Sequence, residues 1–193
     1  MACAEKLPVA APGAEDMRAV LAAADCLFDV PTVQAAYDAL AKQLAAHYEA
    51  LDPLVLILMV GGFVAGAELL ARMRFPLQVG YLHATRYHDR IRGSEVVWKR
   101  RPEAAVAGRH VLVIDDILDE GATLVEVRRA LLQEHPTSLR IAVLADKLHA
   151  RRVDGAHAEY VGLHLPDRYV FGCGMDYRGY WRQLRAIYAV AGL

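Results

Sequence analysis

Cysteine is scarce in this 193-residue chain, which contains Cys3, Cys26 and Cys173. Their odd number and the absence of a C-x-x-C pair argue against a secreted disulfide framework and a structural zinc site. Long apolar runs are also missing, since the longest uncharged one, Leu54–Ala67, has 14 residues and contains two adjacent glycines. That run is too short to span a bilayer, and acidic residues interrupt the apolar stretches near the N-terminus. We therefore expect a cytoplasmic protein with no membrane partner.

The chain also lacks an excess of charge of either sign, with 22 Lys and Arg against 23 Asp and Glu and a formal net charge of −1. A broad basic surface for nucleic acid is therefore not expected. Hydrophobic residues make up 55% of the chain and charged residues 23%, a composition that supports a sizeable folded core. The length predicts one domain spanning residues 1–193.

Apolar runs of strand length alternate with segments of helical periodicity. In order along the chain, we predict a helix from Val33 capped by Thr32, strand Leu54–Val60, helix Phe63–Arg74, strand Gln78–Ala84, a polar loop Thr85–Gly93, strand Glu95–Arg100, strand His110–Asp115, helix Thr123–Glu134 and strand Leu139–Ala145.

This alternation predicts an α/β fold with a mostly parallel twisted sheet and helices on both faces. The predicted core spans residues 33–150. Short strands and Gly-rich turns after Lys147 predict a small hood from about residue 151 to 193, completed by the N-terminal segment, although residues 1–30 carry little pattern. Ligands of such sheets bind beyond the carboxyl ends of the strands.

The most informative stretch is residues 111–124, with the sequence VLVIDDILDEGATL. An apolar strand delivers Asp115 and Asp116, and Asp119 opens a Gly-containing loop that leads into a helix. Free amides at a helix N-terminus attract a phosphate, whereas carboxylates beside them would repel it. The acids must therefore do something else, and holding ribose hydroxyls, positioning a hydrated Mg²⁺ or accepting a proton would each fit.

This stretch resembles the signature of the type I phosphoribosyltransferases. The resemblance implies that Asp115 and Asp116 contact the ribose hydroxyls of phosphoribosyl pyrophosphate, directly or through Mg²⁺, and that Asp119 is the general base for purine N7. It also implies a 5′-phosphate site in the loop that follows, formed by Asp119, Glu120, Gly121, Ala122 and Thr123. Glu120 and Ala122 depart from the residues that many relatives carry there, but the loop acts through its backbone.

The C-terminal third resembles the 6-oxopurine branch of that family. Lys147, in VLADKLH, matches the base-binding lysine of the branch, and an ammonium donates to a 6-oxo group but not to a 6-amino group. The segment PDRYVFGCGMDYRGYWR matches its C-terminal element. By position Tyr169 would stack on the purine, the backbone of Val170 would bond the base, Asp176 would contact the 2-position and Mg²⁺, and Arg182 would bind pyrophosphate.

Two further elements follow from the resemblance. Val60, Gly61 and Gly62 match a pyrophosphate loop with a cis peptide, here at Met59–Val60, although relatives often carry Lys or Arg in place of Val60. Arg86 and Tyr87 stand where the family has a Ser-Tyr pair in a mobile loop that closes over the site. Closure shields a cationic ribosyl transition state from water.

The resemblance implies a purine-salvage enzyme that transfers the phosphoribosyl group to N9 of hypoxanthine or guanine, giving IMP or GMP and pyrophosphate. Relatives form dimers or tetramers, which implies a homodimer or homotetramer here. Two other interpretations stay open at this point. One is a xanthine-preferring enzyme, and the other is a non-catalytic regulator that senses a nucleotide and binds RNA with the same fold.

Overall fold

In the computed structural model, which describes residues 13–89 and 93–192, helices and strands alternate along most of the chain. The elements in chain order are α1 (Ala14–Ala23), β1 (Asp25–Phe28), α2 (Val30–Tyr48), β2 (Leu54–Met59), α3 (Gly62–Leu70), β3 (Gln78–Asp89), β4 (Gly93–Arg100), β5 (His110–Leu118), α4 (Ala122–Leu132), β6 (Ser138–Lys147), β7 (Tyr160–Leu165), β8 (Val170–Phe171) and β9 (Ile187–Ala189).

The main sheet has the strand order β4-β3-β2-β5-β6-β7. β4 pairs antiparallel with β3, and every other neighbouring pair is parallel. The predicted fold class is therefore confirmed. A second sheet, with the order β1-β9-β8, joins the N-terminal segment to the end of the chain and forms the hood. The predicted start of the hood at about residue 151 is too early, because β7 pairs with β6 in the main sheet.

Alternate residues of the central strands face two separate hydrophobic cores. Residues on both faces of these strands are therefore mostly apolar. In β2, Val55 and Ile57 pack in the core that also contains α2 and α3 residues. Leu54 and Leu56 pack on the opposite face, in the core that contains α4 residues. The sheet is thus covered on both sides, and the loops at its carboxyl edge are left to form a site.

The predicted helix cap at Thr32 is wrong. α2 begins at Val30, and the Asp29 carboxylate caps it by accepting a hydrogen bond from the Thr32 backbone N–H at 2.9 Å. Pro31 fits within the first turn because an N–H there needs no partner inside the helix. The N-terminal region, for which no element was predicted, also contains α1 and β1.

The predicted loop Thr85–Gly93 is also wrong at both ends. β3 continues through Arg86 and Tyr87 to Asp89, and β4 starts at Gly93, with Tyr87 paired to Glu95. Backbone pairing between these two antiparallel strands thus outweighs the polar composition of the segment. Residues 90–92, and the side chains of Arg86 and Tyr87, lie outside what the structure describes.

β5 is longer than its apolar run predicts. It extends to Leu118, so that Asp115 and Asp116 lie within the strand and not at its end. β2 pairs with β5 only as far as Ile114, whereas β6 supplies backbone partners up to Leu118. The two acids therefore occupy the step where one neighbouring strand has ended and the other continues.

Candidate active site

A cavity of about 610 Å³ opens at the carboxyl edge of the main sheet, beneath the hood. Its lining includes most of the predicted site residues, namely Val60, Gly61, Asp115, Asp116, Asp119, Glu120, Gly121, Ala122, Thr123, Lys147, Tyr169, Val170, Asp176 and Arg182. Gly62 lies behind this lining, against the backbone of Ile114. Residues that are far apart in the sequence therefore meet in one place.

The turn between β2 and α3 presses against the acids of β5. The Met59–Val60 peptide is cis, as the resemblance implies. A side chain at Gly61 would overlap the Asp116 carboxylate, and one at Gly62 would overlap the Ile114 carbonyl oxygen. The paired glycines thus let the backbone of this turn pack directly against β5.

Asp115 and Asp116 form a buried acidic pair. The Asp115 Oδ1 atom accepts from the Asp116 backbone N–H at 2.9 Å, and Asp116 Oδ1 accepts from the Ile117 N–H at 2.8 Å. Burial, followed by the neighbouring negative charge of Asp116, raises the pKa of Asp115 well above its ordinary value. Burial likewise raises the pKa of Asp116, although the Asp115 hydrogen bond and the Arg182 charge oppose it.

Arg182 connects the hood to this pair. Its guanidinium forms an ion pair with Asp176, lies 4.0 Å from Asp116 Oδ2, and donates to the Gly174 carbonyl oxygen at 2.6 Å. The second carboxylate oxygen of Asp176 accepts from the Gly179 backbone N–H at 2.6 Å. Arg182 is thus a cation held between two carboxylates at the wall of the cavity.

The loop between β5 and α4 is shaped by Gly121, the N-cap residue of α4, which has φ 85°. The segment after β6 packs against this loop, since the Val153 N–H donates to the Glu120 carbonyl oxygen at 2.9 Å. Ala122 and Thr123, the first residues of α4, line the cavity. A helix N-terminus of this kind is an anion site.

Asp119 turns its carboxylate away from α4 and toward the end of β6. Lys147 is only 7% exposed, and its Nζ donates to Asp119 Oδ2 at 2.6 Å. His149 Nε2 lies 2.6 Å from the other oxygen, Oδ1. Burial raises the pKa of Asp119, but the hydrogen bonds from Lys147 and His149 outweigh this effect and leave the pKa below its ordinary value.

Tyr169 and Val170 form the hood side of the cavity. The Tyr169 ring is 44% exposed and meets the Tyr177 ring edge-on, with the centroids 5.4 Å apart. The Tyr169 carbonyl oxygen accepts from the Val190 N–H at 2.9 Å. Hydrogen-bonded pairs alternate along an antiparallel ladder, so the N–H and C=O of Val170 point away from β9 and toward the open edge.

His149 is a site residue that the sequence pattern did not reveal. Its side chain is 1% exposed and lies behind Asp119, 30 positions away in the sequence. A signal was present, since His149 follows Lys147 by two positions, but nothing in one sequence shows that this turn folds back onto Asp119.

Across the residues that the structure describes, no cluster of three or more His, Cys, Asp or Glu could hold a metal ion by itself. The same residues include no helix that is both long and apolar enough to cross a bilayer.

Comparisons with known proteins identify chains of similar sequence and fold. A hypoxanthine-guanine phosphoribosyltransferase of Aquifex aeolicus is 31% identical over 153 residues, 78% of this chain and 85% of the relative. A hypoxanthine-guanine-xanthine phosphoribosyltransferase of Tritrichomonas foetus is 27% identical over 83% of this chain and 88% of the relative. A mutant hypoxanthine phosphoribosyltransferase of Trypanosoma cruzi, solved as a ternary substrates complex, superposes with a TM-score of 0.81 at 28% identity, covering 89% of this chain and 97% of that one.

The family model for the phosphoribosyl transferase domain matches residues 23–178, which include the acidic pair, the loop before α4, Lys147 and the start of the hood. Both the family match and the 31% identity to the Aquifex aeolicus enzyme extend over most of the chain. This chain belongs to the phosphoribosyl transferase domain family.

Proposed function

We propose that this protein transfers the 5-phosphoribosyl group of phosphoribosyl pyrophosphate to N9 of hypoxanthine or guanine, producing IMP or GMP and pyrophosphate in purine salvage. The observation that carries the proposal is the close pair formed by Lys147 and Asp119 at the cavity, a buried donor 2.6 Å from an acceptor.

This pair is complementary to one edge of a 6-oxopurine. The oxygen at position 6 and the nitrogen N7 lie side by side on that edge. The Lys147 ammonium would donate to the 6-oxo group, and Asp119 Oδ2 would face N7–H. A 6-amino group has no acceptor to offer in the same place, so the pair selects against adenine.

The transfer step follows from this placement. The bond between ribose C1 and the pyrophosphate oxygen breaks ahead of the attack by N9, and the new N9–C1 bond leaves a positive charge on the purine. Asp119 removes that charge by accepting the N7 proton. When Lys147 turns to the base, Asp119 loses the stronger of the two donors that lower its pKa, and it becomes a better base.

The acidic pair fits a hydrated Mg²⁺. The two adjacent carboxylates are buried and have raised pKa values, so a bound cation would stabilise their charged forms. Carboxylate oxygens are ligands that Mg²⁺ prefers. Mg²⁺ keeps several waters and commonly uses one or two carboxylates together with substrate phosphates. When bound by Asp115, Asp116 or Asp176, it would supply positive charge to the departing pyrophosphate.

The other walls of the cavity would bind the remaining parts of phosphoribosyl pyrophosphate and of the purine. The amides of the Gly121 loop and the first turn of α4 would hold the 5′-phosphate, with the Thr123 hydroxyl. The Gly61 turn and Arg182 would face the pyrophosphate. Tyr169 offers a partly exposed ring for stacking, and the outward-pointing N–H and C=O of Val170 match the remaining edge of the base.

Product formation from phosphoribosyl pyrophosphate and Mg²⁺, measured separately with hypoxanthine, guanine, xanthine and adenine, tests the proposal. We expect turnover of hypoxanthine and guanine but not adenine. The xanthine assay is informative because a relative from Tritrichomonas foetus is named for all three 6-oxopurines. Failure to turn over any 6-oxopurine would contradict the proposed function.

A Lys147→Gln variant sharpens the test. Loss of the charged donor should raise KM for hypoxanthine roughly 10- to 100-fold, because a hydrogen bond to a charged group contributes about 1.5–3 kcal/mol. KM for phosphoribosyl pyrophosphate should change much less. Lys42→Gln, on the exposed side of α2, is the matched control. Equal changes in both KM values would argue against a role for Lys147 at the base.

A further inference from the structure

The Asp119 carboxylate is held by two different donors, one on each oxygen. Lys147 reaches Oδ2 from the cavity wall, and His149 reaches Oδ1 from behind it. His149 is not part of the cavity lining, and its side chain is 1% exposed. A bound purine would therefore compete for the lysine but would not reach the histidine.

The hydrogen bonds of the His149 ring fix which nitrogen carries the proton. Nδ1 lies 3.0 Å from the Arg151 backbone nitrogen, which always donates. Nδ1 is then an acceptor, and the proton of a neutral ring is on Nε2, where it can be donated to Asp119. This arrangement assigns the tautomer from the bonding pattern.

The turn that carries His149 is anchored at both ends. The Leu148 N–H donates to the Leu165 carbonyl oxygen at 2.9 Å, which continues the pairing of β6 with β7. The Arg151 guanidinium forms two hydrogen bonds of 2.6 Å with the Asp167 carboxylate, just before the hood. His149 is therefore held by elements on both sides and is well placed to orient a neighbour.

We propose that His149 is a positioning residue that keeps Oδ1 of Asp119 occupied, so that Oδ2 is the oxygen that accepts the purine N7 proton when Lys147 turns to the base. The inference rests on the proposed function and adds a residue to it. Without the Nε2–H donor, the carboxylate rotates freely once the lysine leaves, and fewer encounters place Oδ2 in line with N7.

Two substitutions separate this role from a purely structural one. In His149→Gln the side-chain amide nitrogen takes the place of Nε2 and keeps a donor for Asp119. In His149→Asn the side-chain amide takes the place of Nδ1, keeps a partner for the Arg151 N–H and loses the donor for Asp119. If the histidine only supports its own turn, Asn should be the milder change; if it positions Asp119, Gln should be.

The rate of the transfer step, measured in a single turnover with hypoxanthine, is the main readout. We expect His149→Asn to slow the step roughly tenfold, with KM for phosphoribosyl pyrophosphate nearly unchanged, and His149→Gln to recover most of the rate. Similar losses in both variants, or a larger loss with Gln, would overturn the proposal.

The same substitutions in an Asp119→Asn background show whether the histidine acts through that aspartate. A positioning residue has nothing left to orient there, so His149→Asn should then change the rate less than twofold. A second tenfold loss would overturn the proposal. If the unmodified protein turns over no 6-oxopurine, the proposed function itself fails. If instead the unmodified protein is active and His149→Asn transfers at the wild-type rate, only the role of His149 is overturned.

Histidine nitrogen NMR of the full-length protein gives an independent check that needs no activity. The His149 signal, identified by its loss in His149→Gln, should show protonated Nε2 and unprotonated Nδ1. A ring protonated at Nδ1 alone would contradict the assigned direction of the hydrogen bonds and with it the proposal.

Discussion

At the scale of single residues, the most costly feature of the site is the adjacent pair Asp115 and Asp116. Each carboxylate is buried, and the charge of Asp116 adds to the effect of burial on Asp115. The available counter-charge is Arg182, whose guanidinium is shared with Asp176. A fold selected only for stability would not keep this arrangement, and sites that bind cations commonly carry such a cost.

Replacing Asp115 with Asn should therefore stabilise the protein while abolishing transfer. The amide oxygen can still accept from the Asp116 N–H, so the backbone contact survives, but the buried negative charge is gone. We expect the melting temperature at neutral pH to rise by about 2–4 °C, corresponding to about 1 kcal/mol for a chain of this size. Calorimetry without ligands, paired with the hypoxanthine assay, measures both effects.

The stability that Asp115→Asn gains over the wild type should decrease as the pH falls. Because folding raises the pKa of Asp115, the native state binds a proton that the unfolded chain has released. As the pH falls from neutral through the raised pKa, wild-type stability should approach that of Asp115→Asn, and the gap should close below the ordinary carboxyl pKa. Asp154→Asn, at an exposed position, serves as the control substitution. A destabilised Asp115→Asn at neutral pH would contradict the argument.

At the scale of elements, the loop between β5 and α4 depends on Gly121. Its φ of 85° favours glycine, and a side chain there would overlap Ala156. Gly155 has a similar φ of 80° but has open space around its Cα. Both positions thus have a positive φ, but only at Gly121 does close packing shape the loop between β5 and α4.

Gly121→Ala should weaken donor binding, because relieving the overlap with Ala156 moves the loop amides that we propose hold the 5′-phosphate. We expect KM for phosphoribosyl pyrophosphate to rise roughly tenfold or more, in line with a displaced anion site. Gly155→Ala should lose only about 1–2 kcal/mol of stability from its left-handed backbone, with KM unchanged. Equal KM values in the two variants would show that the loop tolerates the shift.

Sequence patterns predicted the central elements because those elements carry their own signals. β2 is an unbroken apolar run, β6 contains the apolar stretch IAVLA, and α2 repeats apolar residues at helical spacing, so the apolar pattern alone indicates them. The extension of β3 to Asp89 had no such signal, because it depends on backbone pairing with β4. His149 was missed for the same reason. Its hydrogen bond is to Asp119, which is brought close only because β5 and β6 are adjacent strands.

At the scale of the whole molecule, the cavity lies between the main sheet and the hood. The hood is held by the pairing of β1 with β9, by an ion pair of 2.7 Å between Arg168 and Asp25, and by a hydrogen bond of 3.2 Å from Trp181 Nε1 to the Met17 carbonyl oxygen. No local pattern in residues 13–29 indicates these contacts, because each joins the two ends of the chain. The fold class and the joining of the N-terminal segment to the hood were predicted, whereas these individual contacts were not.

Because the proposed donor touches loops of the main sheet and Arg182 of the hood, its binding should stabilise the molecule as a unit. A ligand at 100 times its Kd adds about 2.7 kcal/mol to the free energy of unfolding, or roughly 5–10 °C in melting temperature for a chain of this length. We expect that shift with phosphoribosyl pyrophosphate and Mg²⁺ together, and little of it when EDTA removes the metal, because the acidic pair then faces the pyrophosphate without a cation. Asp115→Asn should lose most of the shift even though its ligand-free protein melts higher. If the shift in melting temperature were undiminished in EDTA, the donor would bind without the metal. Asp115 and Asp116 would then contact only the ribose hydroxyls of the donor.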